Sequence, residues 1–286
     1  MRFAFVTCVR IGLDCMEEIY RVGGRLELVL TLKDELARDK SGRVYVDDFC
    51  GRHAIPTRKV RTINEAEAVE AIRAAQIDWL FIIGWSQIAR SEALAAPRLG
   101  VIGMHPTLLP EGRGRAAIPW AILKGLRETG VTMFKLDNGV DTGPILAQAR
   151  LPIAANETAT TLYDRVCEAH RGLIAQAWPT LAANQARAMP QDESRASVWP
   201  GRKPEDGVIR PEMTVEHVDR LVRATTRPYP GAFWDAAPQG RIRVWGGAPA
   251  ASAPAAPGAW RLPLADGAYD ALDYVLEARP AAGKPV

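Results

Sequence analysis

Short apolar runs alternate with stretches whose apolar positions recur at helical spacing, and this alternation organises roughly the first two-thirds of the chain. Residues 3–9 are β-rich and break at Gly12. From there Leu13, Met16, Ile19 and Tyr20 fall on one helical face until Gly23 and Gly24 close it. Residues 26–32 read as a second buried strand, and a charged loop over 33–43 follows. The pattern then predicts a short helix over 46–53, a strand over 58–62, and a helix over 65–75 with Asn64 as its N-cap. Residues 78–84 are apolar throughout, as a strand covered on both faces requires. Strands alternating with helices of this length predict an α/β fold: a mostly parallel twisted sheet with helices on both faces.

A further strand over 100–105 ends in His105, and a Pro/Gly/Arg-rich loop over 106–115 follows it. In open α/β sheets ligands gather outside the carboxyl ends of the strands, so this loop stands where chemistry would occur. A helix over 118–126, a strand over 130–136, a turn over 137–143, a strand over 144–151 and a long amphipathic helix over 158–183 complete the principal domain. After Met189 the texture changes. Residues 191–206 are polar, 215–225 suit a helix, Phe233 and 242–245 suit strands, and 260–278 could supply two short strands. The Ala/Pro/Gly run over 246–258 reads as a surface linker. The expected division is therefore a principal domain over 1–189, and a linker with a small C-terminal β-containing domain over 190–286.

Composition narrows the class. At 286 residues, with 48% hydrophobic and 24% charged positions, the chain is ordinary for a globular protein, so disorder and collagen drop out. The longest apolar stretch, 79–85, is far short of the roughly 20 residues that cross a bilayer, and a soluble protein is expected. The first fifteen residues lack a small-residue cleavage site, so they read as a strand and the protein as cytoplasmic. The net charge of +3 demands no polyanion partner. Cys8, Cys15, Cys50 and Cys167 show no C-x-x-C spacing, so buried reduced thiols are expected and no metal site.

The informative block runs from His105 to Gly143. Asp141 lies in a Gly-flanked turn 36 residues after His105, and the flanking segments are strands able to lie side by side. A histidine near a carboxylate is the usual equipment for moving protons in acyl transfer. Taken alone, the spacing favours a structural pair, as most histidines and aspartates near turns are. His53, His170 and His217 show no partner and read as structural, while Trp85 and Trp120 suit core packing or a ligand platform.

His105-Pro-Thr-Leu-Leu-Pro110, Arg113-Gly-Arg115, Thr129-Gly-Val-Thr132 and Asp141-x-Gly143 occur in that order, followed by Lys203-Pro-Glu-Asp-Gly207 and Arg227-Pro-Tyr-Pro-Gly231. This set resembles the formyltransferases that use 10-formyltetrahydrofolate: methionyl-tRNA formyltransferase, the formyltransferase domain of lipid A modification enzymes, and the sugar N-formyltransferases. The resemblance implies that residues 1–189 form a formyltransferase catalytic domain in which a primary amine attacks the formyl carbon carried by the folate. It implies that His105 stabilises the developing oxyanion or handles a proton, and that Asp141 orients it and assists proton transfer through water. It places the folate in a cleft between Trp85, Ser86, Gln87 and Ile88 and the turn that contains Asp137, Gly139, Val140 and Asp141. Arg10, Arg113 and Arg115 become candidates to hold the acceptor. A dinucleotide site is a poor alternative, because residues 9–14 lack the glycines that let backbone approach a pyrophosphate.

One departure stands out. The family carries an asparagine two residues before the histidine, whose amide holds the formyl oxygen, and here that position is Gly103. Losing one such donor typically slows a reaction about 10²- to 10³-fold. Either another amide such as Gln87 or Asn138 substitutes, or the acceptor or a water fills the gap, or amine formylation is inefficient.

Residues 205–286 carry nine basic and ten acidic side chains, so this tail is not an RNA clamp and nucleic acid is not the expected partner. A small-molecule amine is the expected acceptor, with a nucleotide-linked amino sugar as the favoured class and a homodimer left open. The alternatives are a methionyl-tRNA formyltransferase, and a formyl-folate hydrolase or folate-binding protein in which Gly103 marks altered transfer.

Overall fold

In chain order the elements are β1 (Phe3–Val6), α1 (Arg10–Arg21), β2 (Leu28–Leu32), α2 (Asp34–Ala37), α3 (Asp47–Arg52), β3 (Thr57–Val60), α4 (Ala66–Ala74), β4 (Trp79–Ile82), α5 (Ser91–Leu94) and β5 (Gly100–His105). There follow β6 (Arg113–Gly114), α6 (Ala117–Leu123), β7 (Glu128–Lys135), β8 (Ile145–Pro152), α7 (Ala159–Ala182), β9 (Val198–Trp199), α8 (Val215–Thr225), β10 (Ala232–Ala236), β11 (Gly240–Pro249), β12 (Trp260–Leu264) and β13 (Gly267–Glu277). This computed structural model describes residues 1–37, 42–236, 240–251, 255 and 257–278. The chain divides into two compact units. The first comprises Met1–Ala117, Thr129–Pro152 and Asp164–Trp199, and the second Ile118–Glu128, Ile153–Tyr163 and Pro200–Val286.

The first unit is built on a seven-stranded sheet in the order β3-β2-β1-β4-β5-β7-β8. The first five strands of that order run parallel, and β7 lies antiparallel to β5. The chain steps outward from β1 to β3 and then returns to β4 on the other side of β1, so the strand order reverses there. Both faces are covered, which is why β1, β2 and β4 are apolar at every position but Thr31. Ala4, Val6, Leu28, Leu30, Leu80 and Ile82 pack with Val69 and Ile72 of α4 on one face. The alternate residues Phe3 and Phe81 meet Trp178 of α7 on the other, with ring centres 4.4 Å and 6.4 Å away. All four cysteines are buried, and none forms a disulfide. Among the described residues no helix is long and apolar enough to cross a membrane.

The second unit carries a four-stranded antiparallel sheet, β10-β11-β13-β12, with Val218, Leu221 and Val222 of α8 packed among Ile242, Val244, Leu262 and Tyr269. Here the structure corrects the linker reading: residues 246–249 belong to β11 and pair with β13, an 11-residue strand rather than a short one. Residues 252–254 and 256 of that run lie outside the described residues. Two local expectations also change. The loop over 33–43 contains α2, with 38–41 outside the described residues. Glu65, not Asn64, caps α4; the Asn64 amide instead donates to the Ile88 carbonyl at 2.8 Å and accepts the Arg90 N–H at 2.7 Å.

The segment over 190–199, read as part of a linker, lies within the first unit because its polar groups have partners there. β9 pairs in parallel with β6, and the Gln191 amide donates to the carbonyls of Asp141 at 2.8 Å and Gly143 at 2.7 Å.

His170 of α7 is 1% exposed, and its Nδ1–H donates to the Val166 carbonyl at 2.7 Å. Burial, opposed by that bond and aided by the positive charge available to His105, pulls its pKa down to about 4. The unfolded chain therefore takes up the proton first as pH falls. Stability is full above about 6.5 and declines towards pH 4, by about 3 kcal/mol in total. Denaturant melts of the wild type against His170→Gln check this: the loss of stability between pH 6.5 and 4 should shrink in the variant.

Candidate active site

β5 ends on His105, and β7 brings Thr132 directly opposite it. That register fixes the loop over 106–115. The buried Thr132 hydroxyl donates to the Thr107 carbonyl at 2.7 Å and accepts the Leu109 N–H at 3.0 Å. Gln148 donates both to Thr132 Oγ1 and to the Leu109 carbonyl, each at 2.8 Å. Pinned this way, the loop returns the Gly112 carbonyl to His105 Nε2 at 2.8 Å. A carbonyl only accepts, so Nε2 carries a proton, and in the neutral form of the ring Nδ1 is the unprotonated edge.

Nδ1 faces Asp141 Oδ2 at 3.6 Å. At that separation no full hydrogen bond is made, and charge attraction would act there only on a protonated ring. The same Oδ2 accepts the Gly114 N–H at 2.8 Å, and Asp141 adopts a left-handed φ of +56° within its turn. The turn is held from inside by Asp137, whose Oδ1 accepts from Gly139 N at 3.0 Å and from Thr142 Oγ1 at 2.6 Å. It is held from outside by Gln191. The motif glycine has a steric reason: a Cβ on Gly143 would stand 1.8 Å from the Lys135 carbonyl oxygen.

His105, only 8% exposed, forms part of the wall of a cleft of about 400 Å³. Trp85, Ser86, Gln87, Ile88, Asp137, Gly139, Val140 and Asp141 all line it, so the structure brings together every residue expected on the two cleft segments. Ile88 and Val140 are 71% and 52% exposed, apolar side chains held in water beside a cavity that a ligand could cover. The Trp85 indole N–H is buried without a partner among the described residues.

The three arginines fare differently. Arg115 lines the cleft, and its guanidinium has no partner among the described residues. Arg113 is 5% exposed and turned away from the cleft, its fork bonded to Glu193 at 2.6 and 2.9 Å and to Gln191 at 2.7 Å. Glu193 holds the Arg113 pKa up, and Arg113 holds that of Glu193 down. Arg113 therefore ties the loop to the 190–199 segment rather than gripping a ligand. Arg10 begins α1 and pairs with Asp164 at 2.9 Å and Asp14 at 3.6 Å, outside the cleft lining. Gln191, bonded to the carbonyls of Asp141 and Gly143, and Leu136 on the cleft wall are positions at this site that sequence reasoning missed.

Leu136 explains Gly103. A Cβ at 103 would meet Leu136 Cδ2 at 2.5 Å and Cγ at 3.1 Å, so the leucine already fills the space that a side chain at 103 would take. Of the two candidate amides, only Gln87 lines the cleft. The Gln87 Nε2 donates to the Arg61 carbonyl at 2.9 Å, and Asn138, bonded to Ser91 Oγ, does not line the cleft. Gly103→Ala should therefore cost about 1–3 kcal/mol through overpacking. Combined with Leu136→Ala, the two changes should offset each other by at least about 0.5 kcal/mol in denaturant melts; strict additivity would show that the residues do not compete for one space.

The sequence profile of the family described as "Formyl transferase" matches residues 28–177, and that of "Formyl transferase, C-terminal domain" matches 202–263. Among solved structures, the fold is similar to an N-formyltransferase from Helicobacter canadensis in complex with folinic acid and dTDP-3-aminofucose. That likeness has a TM-score of 0.71 at 17% identity, over 96% of this chain and 100% of that one. It is also similar to HypX from Aquifex aeolicus in complex with tetrahydrofolic acid, with a TM-score of 0.70 at 18% identity, over 96% of this chain but 44% of the other. A methionyl-tRNA formyltransferase from Clostridium thermocellum aligns with a TM-score of 0.60 at 18% identity, over 87% and 93% of the two chains. With the profile spanning more than half its length, the chain belongs to the formyl transferase family.

Proposed function

We propose that this chain transfers a formyl group from 10-formyltetrahydrofolate to the primary amine of a small metabolite, with nucleotide-linked amino sugars as the favoured acceptor class. The observation that carries the reading is the meeting of His105 and Asp141 at 3.6 Å on the wall of the cleft. The neighbours crystallised with folinic acid, tetrahydrofolic acid and an amino sugar nucleotide support the donor and acceptor classes. The cleft suits a flat bicyclic ring, with Ile82, Trp85, Phe134 and Leu136 as apolar walls and Asp137 as a polar edge. The even charge of residues 205–286 speaks against a tRNA acceptor.

The bound donor supplies one electrophilic carbon at the amide oxidation level. An attacking amine must lose a proton, and His105 Nδ1 is the free basic edge placed to take it. The Asp141 carboxylate faces that edge and stabilises the resulting imidazolium, while the Gly114 N–H keeps the carboxylate aimed. Arg115 is the cation on the cleft wall available for an acidic part of the acceptor.

A second reading, hydrolysis of formyl-folate, is favoured by one observation: position 103 carries no amide side chain, and the Gln87 amide on the cleft wall is tied to the Arg61 carbonyl. Incubating the protein with 10-formyltetrahydrofolate and a panel of amines separates the two. Deformylated folate followed by absorbance, with one formyl group gained by an amine in the mass spectrum, supports transfer. Formate released equally fast without any amine supports hydrolysis, and an unconsumed donor would sink both.

A further inference from the structure

One habit recurs in the second unit. Arg220, Arg223, Arg227, Arg241, Arg243 and Arg261 each lie against a carboxylate, of Glu216, Asp219, Asp273, Asp235, Glu277 and Asp270 in turn. Arg202 and Arg210 have no carboxylate partner among the described residues, and both line the same cavity of about 560 Å³. All of that cavity's lining residues belong to the second unit.

Arg202 is partly withdrawn from water. Its Nη2 donates to the Asp206 carbonyl at 2.8 Å, and its guanidinium stands 5.2 Å from the centre of the Trp120 ring. Burial lowers its pKa, opposed by the charge of Asp206. The Asp206 carboxylate, however, is turned onto the backbone, accepting the Lys203 N–H at 2.7 Å. Lys124 stands 5.8 Å from the same ring, and the ring is fixed by its own N–H, donated to the Pro200 carbonyl at 2.8 Å. Trp120 is thus a floor that carries two cationic side chains. Leu123, Met213 and Leu221 form an apolar strip along the wall, and Glu205 is the remaining carboxylate on it.

A guanidinium half removed from water, whose neighbouring Asp206 carboxylate is turned onto the backbone, is only partly compensated, and its planar fork matches a phosphoryl or carboxylate group. The apolar strip offers room for a ring or hydrocarbon body beside that group. We infer that this cavity binds a small organic phosphate, with its phosphoryl oxygens against Arg202 and Arg210 and its apolar part along Leu123, Met213 and Leu221. The inference is independent of the formyl-transfer reading, and its test needs no activity.

Isothermal titration of the full chain with adenosine 5′-monophosphate, inorganic phosphate and adenosine separates the contributions. The nucleotide should bind once per chain, inorganic phosphate more weakly, and adenosine not measurably. Arg210→Gln, a change at an exposed side chain that leaves the fold intact, should weaken nucleotide binding at least about tenfold, and Arg202→Gln should do the same. No heat from the nucleotide at millimolar concentration overturns the inference. So does nucleotide binding that both arginine variants leave within twofold, or equal affinity for nucleotide and inorganic phosphate.

Discussion

His105→Ala should lower turnover by about 10²- to 10⁴-fold while donor affinity stays within a few-fold. The size follows from what the ring does that nothing nearby can repeat. Its Nε2 proton is committed to the Gly112 carbonyl, so Nδ1 presents a lone pair towards the cleft and Asp141. No other imidazole lines the cleft, and its other titratable groups are Asp137, Asp141 and Arg115. Asp137 already holds its turn, and an arginine does not give up its proton. On the proposed reading the donor would contact the two cleft segments as well as the imidazole, so truncation should act on kcat far more than on binding. Stopped-flow turnover with titration of the donor reads both quantities. A variant that keeps near-full turnover would remove His105 from the mechanism.

Asp141→Asn should lower turnover by about 10²- to 10³-fold with the fold unchanged. An asparagine in the wild-type orientation still accepts the Gly114 N–H, and the backbone of residue 141 keeps its bond from Gln191. What is lost is the negative charge facing Nδ1, and with it the stabilisation of a protonated ring. The pH profile distinguishes this from a packing defect. If the carboxylate stabilises the imidazolium, the acidic limb of the profile, where activity is lost as His105 takes up a proton, should move to lower pH in the variant. A slower enzyme with an unmoved profile would make Asp141 a turn residue only.

Much of the architecture was legible because it depends on short-range pattern. β5 and α8 begin and end where the sequence put them, since each is bounded by a sharp change: a glycine before Val101 and a proline after His105 for the strand, Thr214 as N-cap for the helix. His105, Asp141 and the two cleft segments were found through motif residues whose reasons are local, such as Gly143 against the Lys135 carbonyl. The errors share a different cause. Arg113 looked like a ligand-binding arginine because nothing in the chain around it foretells Gln191 and Glu193, nearly eighty residues away. Asn64 looked like a cap because its alternative partners lie at Ile88 and Arg90. Leu136 was invisible as the counterpart of Gly103, since an apolar residue ending a strand needs no special explanation until the opposite strand is in place.

The bonds from Gln191 and the β6–β9 pairing set a minimum length for any working piece of this protein. A fragment stopping at residue 189 would keep all seven strands of the large sheet, yet it would release the turn that aims Asp141 and strip Arg113 of its bond to Glu193. Such a fragment should resemble the intact unit by circular dichroism and be catalytically silent, whereas one extended through Trp199 retains both anchors.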